Sequence, residues 1–267
     1  EQQGRSFDDI RAAARRTWND DLGRIRVEGG TEAQKKVFYT GLYHALIHPN
    51  VLSDVNGEYP AMESAEIRTA EGNRYTVFSL WDTYRNLHQL LTLVYPERQL
   101  EMVRSMVGMY REWGWLPKWE LYGRETFTME GDPSIPVIVD TWMKGLRDFD
   151  MDAAYEAMRK SATTPGARNR MRPDIDPYIE KGYVPLGFYA RDLSGDNSVS
   201  HALEYYIADH ALSLLADSLG KKDDAALFRA RSLGYKNYYS TESGTFRPIT
   251  KEGKFLTPFD PRQGENF

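Results

Sequence analysis

Four acidic side chains fall within thirteen residues of a longer polar segment, residues 113–132, that also carries Trp, Tyr and Arg. They are Glu120, Glu125, Glu130 and Asp132. Aromatic rings cover the CH faces of a sugar and charged groups hydrogen-bond its hydroxyls, so this mixture suits a carbohydrate ligand. Glycoside hydrolysis with inversion needs a carboxylic acid and a separate carboxylate base, about 6.5–9.5 Å apart. The stretch therefore predicts part of a glycosidase active site, although spacing alone does not say which two carboxylates face each other.

The segment that holds these carboxylates is predicted to be a loop, because glycine and proline interrupt it. The interrupting residues are Gly114, Pro117, Gly123 and Gly131. Three tryptophans accompany them, Trp113, Trp115 and Trp119. Exposing such rings without a partner is unfavourable. They would therefore bind a ligand or pack beneath the loop as a local core.

Asp82 and Arg85 lie one helical turn apart, with Trp81 beside them. A carboxylate that accepts from sugar hydroxyls and a guanidinium that donates to them would suit the mouth of a sugar pocket. A structural alternative is open as well. Ser79 and Asp82 have the spacing of a capping box, and Asp82 with Arg85 would fit an i,i+3 ion pair.

Two short patterns are reminiscent of metal sites, but each lacks part of the usual ligand set. His44 and His48 share a helix face, as in zinc sites, without the adjacent Glu of the metalloprotease motif or an evident third ligand. The segment DVNG at residues 54–57 resembles the start of a calcium loop, yet the remaining EF-hand ligands are missing. We predict packed or hydrogen-bonded histidines and a turn, and the residues alone assign no metal ligands.

Composition excludes several classes of protein. The formal charge of −5 argues against an electrostatic nucleic-acid binder, which needs a basic face. The absence of cysteine rules out disulfides, thiol catalysis and thiolate metal sites. No apolar run approaches the roughly 18 residues of a membrane span. Because the chain begins Glu1-Gln2-Gln3, we expect it to be processed, excised or numbered from inside a longer protein.

Helical periodicity dominates the chain. Thr31 and Gln34 have the spacing of a capping box. Pro96 suits the first position of a helix, Asp150 suits an N-cap, and Gly220 suits the turn of a helical hairpin. We predict helices at residues 7–22, 31–48, 81–95, 96–113, 135–149, 151–162, 174–181, 199–219 and 223–239.

Residues 50–77 and the chain from Gly244 onward are predicted to be irregular or extended. Helices joined alternately by short turns and long polar loops favour paired helices over an alternating strand–helix order. A toroid of antiparallel helix pairs, with long loops over one end, fits this pattern best. A compact helical array is the alternative.

Six segments carry a resemblance to a known family. They are residues 38–50 (FYTGLYHALIHPN), 53–59 (SDVNGEY), 75–85 (YTVFSLWDTYR), 95–98 (YPER), 114–120 (GWLPKWE) and 258–261 (PFDP). In sequence and order they resemble glycoside hydrolase family 92, which comprises calcium-dependent exo-acting α-mannosidases, chiefly bacterial. The match is spread over residues 35–261 and is too long and too ordered to arise by chance.

The resemblance implies an all-α fold, in which this chain forms an incomplete (α/α)6 toroid of antiparallel helix pairs with long loops over one end. Residues 1–30 would be a lead-in helix and linker. Residues 31–267 would be the N-terminal two-thirds or so of the catalytic toroid. An N-terminal β-sandwich domain and the C-terminal remainder of the toroid are expected in the parent protein.

The same resemblance implies an α-mannosidase, exo-acting and of the α-1,2 type, that removes mannose from glycans with inversion. A Ca²⁺ ion would bind mannose hydroxyls and help to distort the ring toward an oxocarbenium-like transition state. Its ligands are expected mainly outside this chain. The implied location is periplasmic or extracellular in a bacterium, and the partner is a mannose-containing glycan, with no nucleic acid and no membrane span.

The site residues implied by the match are substrate-binding ones. They are Trp81, Asp82, Arg85, Trp119, Glu120 and Glu125. In the family the acid-bearing segment, a TEGNAWQ-like run, follows shortly after the PFDP motif, and the base-bearing segment comes later. We therefore expect the acid and base beyond Phe267, with Glu125 as the fallback catalytic residue. Glu265 precedes the expected position and is not assigned as the acid.

Two other functions remain open at this point. The chain by itself would be a non-catalytic helical fragment, or a weak carbohydrate-binding module, if it lacks the acid and base. A different (α/α)6 glycosidase would use Glu125 with Glu120 or Asp132, but the resemblance argues against it.

Overall fold

A computed structural model describes residues 4–188, 190–191 and 195–262 of the chain. The chain divides into two units, Glu1–Asn50 and Val51–Phe267. The predicted division at residue 30 stays a prediction. Among the described residues, no helix is both long and apolar enough to cross a membrane.

The first unit is a pair of helices, each started by a capping box. Helix α1 spans Phe7–Leu22 behind Ser6, and helix α2 spans Glu32–Ala45 behind Thr31. In both boxes the hydroxyl accepts from the third helical amide, and that residue's side chain accepts from the capping amide. The predicted box of Thr31 with Gln34 is therefore confirmed.

The described part of the second unit contains eight further helices. They are α3 (Leu80–Thr83), α4 (Leu87–Val94), α5 (Pro96–Trp113), α6 (Ser134–Met143), α7 (Met151–Thr163), α8 (Ile175–Lys181), α9 (Ser198–Ser218) and α10 (Lys222–Ser232). Two 3-10 turns, Gly166–Arg168 and Leu233–Asn237, accompany them. Pro96 begins α5 and Asp150 caps α7, as predicted.

These helices pack as three sequential pairs in two layers. Helix α4 contacts α5, α6 contacts α7 and α9 contacts α10. Helix α6 also contacts both α4 and α9, which makes α4, α6 and α9 one layer. In the other layer α5 contacts α7, and Asp224 of α10 accepts from Tyr155 of α7. The prediction of paired helices is confirmed by this order.

Short strands connect the helices, which the sequence did not predict. They are β1 (Asn50–Val51), β2 (Glu58–Pro60), β3 (Ile67–Thr69), β4 (Tyr75–Thr76), β5 (Phe78–Ser79), β6 (Trp119–Leu121), β7 (Arg124–Glu125), β8 (Ala190–Arg191), β9 (Gly195–Asp196), β10 (Tyr239–Ser240) and β11 (Thr245–Phe246). Strands β5, β6 and β7 form an antiparallel sheet that brings Ser79 opposite Trp119 and Glu120 opposite Glu125. This sheet joins the start of α3 to the polar loop.

The helix predicted over residues 81–95 is wrong in its middle, because the structure breaks it into α3 and α4. The side-chain amide of Gln89 donates to the Tyr84 carbonyl at 2.7 Å, competing with a continuous helical ladder. The side chains of Tyr84 and Arg85 both bind Glu204 of α9. Tertiary hydrogen bonds therefore override the local helical pattern at this point.

Buried tyrosines form the core between α8, α9 and the 3-10 turn Leu233–Asn237. Tyr178, Tyr205, Tyr206 and Tyr238 are all nearly inaccessible to solvent. A Cβ at Gly234 would lie 2.6 Å from the Tyr206 ring, so only glycine lets the turn pack this closely.

A chain of buried hydrogen bonds crosses α4, α5 and α6. The imidazole of His88 lies 3.0 Å from the Thr83 hydroxyl and 2.9 Å from the Gln99 side-chain oxygen. The Gln99 amide then donates to Thr141 of α6 at 2.9 Å. Burial lowers the pKa of His88 to about 4, because an imidazolium here would lose its hydration. The folded protein therefore holds this histidine neutral.

We predict that His88 makes the second unit acid-sensitive. The unfolded chain takes up the proton near pH 6.5 and the folded chain only near pH 4, so stability is full above 6.5 and falls as pH drops through this window. The loss should reach roughly 3 kcal/mol. Urea unfolding of the wild type and of His88→Gln between pH 7.5 and 4 checks this.

The substitution His88→Gln should remove that part of the pH dependence, since glutamine does not titrate. His210→Gln, which alters an exposed histidine of α9, should keep the wild-type slope. A stability difference between wild type and His88→Gln that does not change with pH would contradict this account.

Candidate functional site

Asp82 stands in the first turn of α3 with an exposed side chain. Ser79 makes no side-chain cap, so the capping box weighed as an alternative does not form. The alternative ion pair does not form either, because Arg85 binds Glu204 at 3.1 Å. In the part of the chain that the structure describes, the Asp82 carboxylate has no hydrogen bond or ion pair. It is therefore open to a ligand.

Arg85 is held in place on three sides. Its guanidinium lies 4.8 Å from the ring centroid of Trp81 and 4.9 Å from that of Tyr84. Glu204 accepts from Arg85 and, at 2.8 Å, from the Tyr84 hydroxyl. The Arg85 side chain remains 47% exposed whereas that of Glu204 is only 12% exposed. The buried carboxylate thus fixes a guanidinium whose outer face meets solvent.

The indole N–H of Trp81 is buried without a hydrogen-bond acceptor among the described residues. Such a donor is costly to leave unsatisfied. Beside it lie the open carboxylate of Asp82 and the guanidinium of Arg85. We call Trp81, Asp82 and Arg85 the α3 rim. It offers a guanidinium donor, a carboxylate acceptor and an aromatic ring, which are groups that bind sugars.

Glu120 is fully buried, and both of its oxygens are used by the surrounding chain. One accepts from the Thr76 hydroxyl at 2.8 Å and from the Gly123 amide. The other accepts from the Val77 amide at 3.1 Å. Burial raises the pKa of Glu120, against the lowering effect of these hydrogen bonds. The carboxylate links β4 and the segment before β5 to the turn between β6 and β7.

Glu125 makes a similar set of backbone contacts. It accepts from the amides of Lys118 at 2.7 Å, Trp119 at 3.0 Å and Phe127 at 2.8 Å. It is 7% exposed. An irregular buried loop leaves backbone amides without partners, and this side chain satisfies three of them.

The three tryptophans of the loop differ in their surroundings. Trp113 lies against Phe127, with ring centroids 6.1 Å apart, and Trp115 lies under the Lys160 ammonium at 4.6 Å. Trp119 is partly buried in β6, opposite Ser79. Trp113 and Trp115 therefore match the local-core alternative, while Trp119 lies one strand away from the start of α3.

Glu130 and Asp132 belong to a buried network of charged groups. Glu130 accepts from Asn197 at 2.7 Å, and its carboxylate lies next to the imidazole of His201. Asp132 accepts from Ser161 at 2.6 Å and from the Arg172 guanidinium at 3.2 Å. These contacts connect the end of the loop to α7, to α9 and to the segment before α8.

Arg172 is the centre of this network and is completely buried. It donates to Asp132 and, at 2.7 Å, to Asp209 of α9. Its guanidinium carbon lies 4.9 Å from the Tyr205 ring centroid. Burial alone would lower the pKa of Arg172, but the carboxylates of Asp209 and Asp132 raise it above its usual value. The guanidinium is therefore permanently charged.

Lys118 is a second buried cation near these groups. Its ammonium donates to the Met171 carbonyl at 3.1 Å. Burial lowers the pKa of Lys118, and the nearby carboxylates, with Asp132 first, oppose that shift.

The loop and the α3 rim meet at Gly131. A Cβ on this residue would lie 2.5 Å from the Glu204 Cβ, so the loop backbone touches the side chain that holds Arg85. Glu130, Asp132 and the α3 rim therefore lie around one helix, α9. Glu120 and Glu125 lie in the β5–β6–β7 sheet instead.

Sequence reasoning missed Glu204, His201, Asp174 and Asp209. Tyr205 donates to Asp174 at 2.6 Å, and Asp209 accepts from Tyr178 at 2.8 Å. Glu204 and Asp209 sit within a long, otherwise largely apolar helix. The sequence signal that could have identified Glu204 and Asp209 is a carboxylate on the buried side of an apolar helix, because such a group needs a charged or polar partner.

The described residues do not fit a calcium ion by themselves. They contain no group of three or more His, Asp or Glu side chains arranged to hold a metal. His48 instead lies 3.1 Å from the Asn50 side-chain oxygen, and Asp54 accepts from the next amide within the predicted turn. Glu265, considered in the sequence, lies outside the described residues.

Residues 1–267 match the catalytic-domain model of glycosyl hydrolase family 92. The chain belongs to this family. The resemblance stated from the six segments is therefore confirmed.

Three relatives are similar to this chain over nearly its whole length. A GH92 α-mannosidase of Bacteroides thetaiotaomicron, solved with mannoimidazole, is 35% identical with a TM-score of 0.87 over 97% of this chain. A GH92 inverting mannosidase of B. thetaiotaomicron VPI-5482 is 31% identical with a TM-score of 0.88, also over 97%. An Arthroderma benhamiae protein named an uncharacterized secreted glycosidase is 26% identical over 96% of this chain.

The chain spans 33%, 35% and 29% of the lengths of these three relatives, respectively. The matching family is one of glycosyl hydrolases, and the two solved relatives are named mannosidases.

We predict that Arg172 is required for the stability of the GH92 chain. Arg172→Met would leave Asp132 and Asp209 buried without their cation, which should cost about 3–5 kcal/mol of unfolding free energy. Chemical denaturation followed by circular dichroism measures this.

Lys222→Met is the matched control, because Lys222 forms an exposed ion pair with Asp217. It should leave the unfolding free energy unchanged within error. Equal stability of Arg172→Met and wild type would refute the assigned role of Arg172.

Proposed function

We propose that this chain provides the mannose-binding wall of an exo-acting α-mannosidase that hydrolyses glycans with inversion. One observation carries the proposal: the α3 rim presents an open carboxylate and a fixed guanidinium side by side, next to the Trp81 ring. The similarity to an α-mannosidase in complex with mannoimidazole supports mannose as the sugar.

Each rim residue has a separate role in this proposal. Asp82 accepts from a mannose hydroxyl, Arg85 donates to one, and the Trp81 ring lies beside them. These contacts hold the terminal sugar while its ring distorts toward the transition state, so part of their binding energy lowers the barrier. Trp119, Glu120 and Glu125 complete the wall, the last two chiefly by shaping the loop.

We propose that the catalytic acid and base come from segments other than the described ones. The oxygens of Glu120 and Glu125 accept from backbone amides, which favours a loop-shaping role over proton transfer. Inversion is supported by the relative named an inverting mannosidase. The preference for α-1,2 linkages rests on the family resemblance.

The same proposal extends to architecture. The layers α4–α6–α9 and α5–α7–α10 have the order of helices in part of an (α/α)6 toroid, in keeping with residues 31–267 being its N-terminal two-thirds or so. Residues 1–30 would be the lead-in, and a β-sandwich with the rest of the toroid would complete the enzyme. The relatives' greater lengths support this.

Calcium dependence and location are also part of the proposal. Since the described residues do not form a calcium site, the ligands would come mainly from elsewhere in the enzyme. An extracellular location is supported by a relative whose name includes the word secreted. A bacterial source and a periplasmic location rest on the family resemblance.

A second candidate function is carbohydrate binding without hydrolysis by the isolated chain. It is favoured by the same use of Glu120 and Glu125 in the fold, which leaves Asp82 as the exposed acid of the rim. Turnover of an α-mannoside by the purified 267-residue chain would exclude it.

We predict that Asp82→Ala lowers kcat/KM for an α-linked mannoside about 10- to 100-fold in the natural protein that contains this chain. The reason is the loss of a charged hydrogen bond to the sugar. Released mannose is the measurement. Asp223→Ala, which alters an exposed acid in the first turn of α10, is the control and should keep full activity. Full activity of Asp82→Ala would remove this residue from the site.

Chelation tests the calcium proposal separately. EGTA should abolish mannose release by the natural protein, and added Ca²⁺ should restore it. The unfolding curve of the 267-residue chain should be the same with and without EGTA, because its described residues form no metal site. Undiminished mannose release in EGTA would refute the calcium dependence.

A further inference from the structure

An open cavity of about 790 Å³ lies in the second unit, apart from the α3 rim. One wall is the face of α5 that carries Arg104, Gly108 and Arg111. The others are the β2–β3 hairpin with its following loop, and the connection between α6 and α7 at residues 147–150. The cavity has no lining residue in common with the α3 rim or with the sheet of Glu120 and Glu125. Its volume is that of a small-molecule site.

The charges of this cavity are paired across its walls. Arg104 donates to the Asp148 carbonyl at 2.8 Å and forms an ion pair with its carboxylate. Arg111 forms an ion pair with Asp150 in the same connection. Each pair joins α5 to the connection between α6 and α7, so cations and anions alternate along the edge of the cavity. An anionic ligand would meet these carboxylates together with the guanidinium groups.

The floor of the cavity holds a third arginine–carboxylate pair, which is buried. Arg74 binds Glu112 through two parallel hydrogen bonds of 3.0 and 2.9 Å. Its guanidinium carbon lies 4.7 Å from the Tyr59 ring centroid. A Cβ at Gly108 would lie 2.6 Å from Arg74 Nη1, so glycine is what allows Arg74 to cross α5 here.

Aromatic surface and a further donor complete the lining. Phe149 and Tyr59 both face the cavity. The Arg147 guanidinium, also in the lining, lies 4.8 Å from the Trp142 ring centroid. The cavity therefore combines ring faces with a dense, electrically balanced set of donors and acceptors. A neutral polyhydroxyl ligand matches all of these features, whereas an apolar ligand would leave the polar groups unpaired.

We propose that this cavity is a second saccharide site, which binds a neutral oligosaccharide away from the α3 rim. The Arg104–Asp148 and Arg111–Asp150 pairs bind its hydroxyls, and Phe149 covers a CH face of one ring. The existence of the site rests on the cavity. The choice of an α-mannan type of sugar as probe rests on the proposed function.

Two-dimensional NMR of the 267-residue chain tests this, with an α-linked mannotriose as the probe. Titration should shift the amide resonances of Gly108 and Phe149, as well as those around Asp82. The double variant Arg104→Ala/Asp148→Ala should weaken binding at the cavity at least tenfold and leave the shifts around Asp82 unchanged. Removing both partners of an exposed pair avoids an unpaired charge, so the variant should fold.

The matched control is Lys222→Ala/Asp217→Ala, which removes an exposed pair outside the cavity and should keep both sets of shifts. Asp82→Ala should abolish the shifts at the rim and keep those of Gly108. In the wild-type chain, a silent rim with a responsive cavity would refute the proposed function alone. Unchanged Gly108 and Phe149 resonances would overturn the second site.

Inorganic phosphate is titrated in parallel. Phosphate should leave the cavity resonances unchanged, because Asp148, Asp150, Glu71 and Glu112 together balance the four guanidinium groups. Shifts with phosphate and none with mannotriose would also overturn the proposal, in favour of an anion site.

Discussion

The contact on which the second unit most depends is the one between Arg172 and its two carboxylates. Burying a guanidinium is expensive, and only a full set of charged partners makes it tolerable. Here the partners come from two places far apart in the sequence, the end of the polar loop and the middle of α9. None of the three charges is stable in the interior without the others. The loop, the segment before α8 and α9 are consequently placed as one body.

The position of the α3 rim follows from this arrangement. Asp132 fixes the end of the loop, Gly131 then lies against Glu204, and Glu204 holds Arg85 over Trp81. The other half of the loop is organised differently. Some backbone amides here have no partner in a helix or sheet. They donate instead to the carboxylates of Glu120 and Glu125. The loop can therefore be irregular and still be buried.

Local chemistry predicted most of the helices. Capping residues at Thr31 and Asp150 and the proline that begins α5 act within one turn of the chain, so their effect is visible in the sequence. The break between α3 and α4 was not visible, because it depends on Glu204, more than a hundred residues away. The short strands were missed for a similar reason, since two or three residues carry no periodic signal.

The candidate site was predicted only in part. Trp81, Asp82 and Arg85 were found together, but the roles of the four loop carboxylates depend on which amides and cations surround each one. Spacing does not contain that information. Glu120 and Glu125 bind the backbone, whereas Glu130 and Asp132 enter the charge network. The loop thus supplies more structural acids than its composition indicated.

Gly131 has a consequence for anyone who wishes to engineer this protein. Its backbone meets Glu204 with no room for even a methyl group. A new side chain here would displace Glu204 and, with it, the orientation of Arg85, without altering any residue of the rim. The orientation of Arg85 can therefore be changed from a position outside the α3 rim. Screens confined to ligand-facing residues would overlook it.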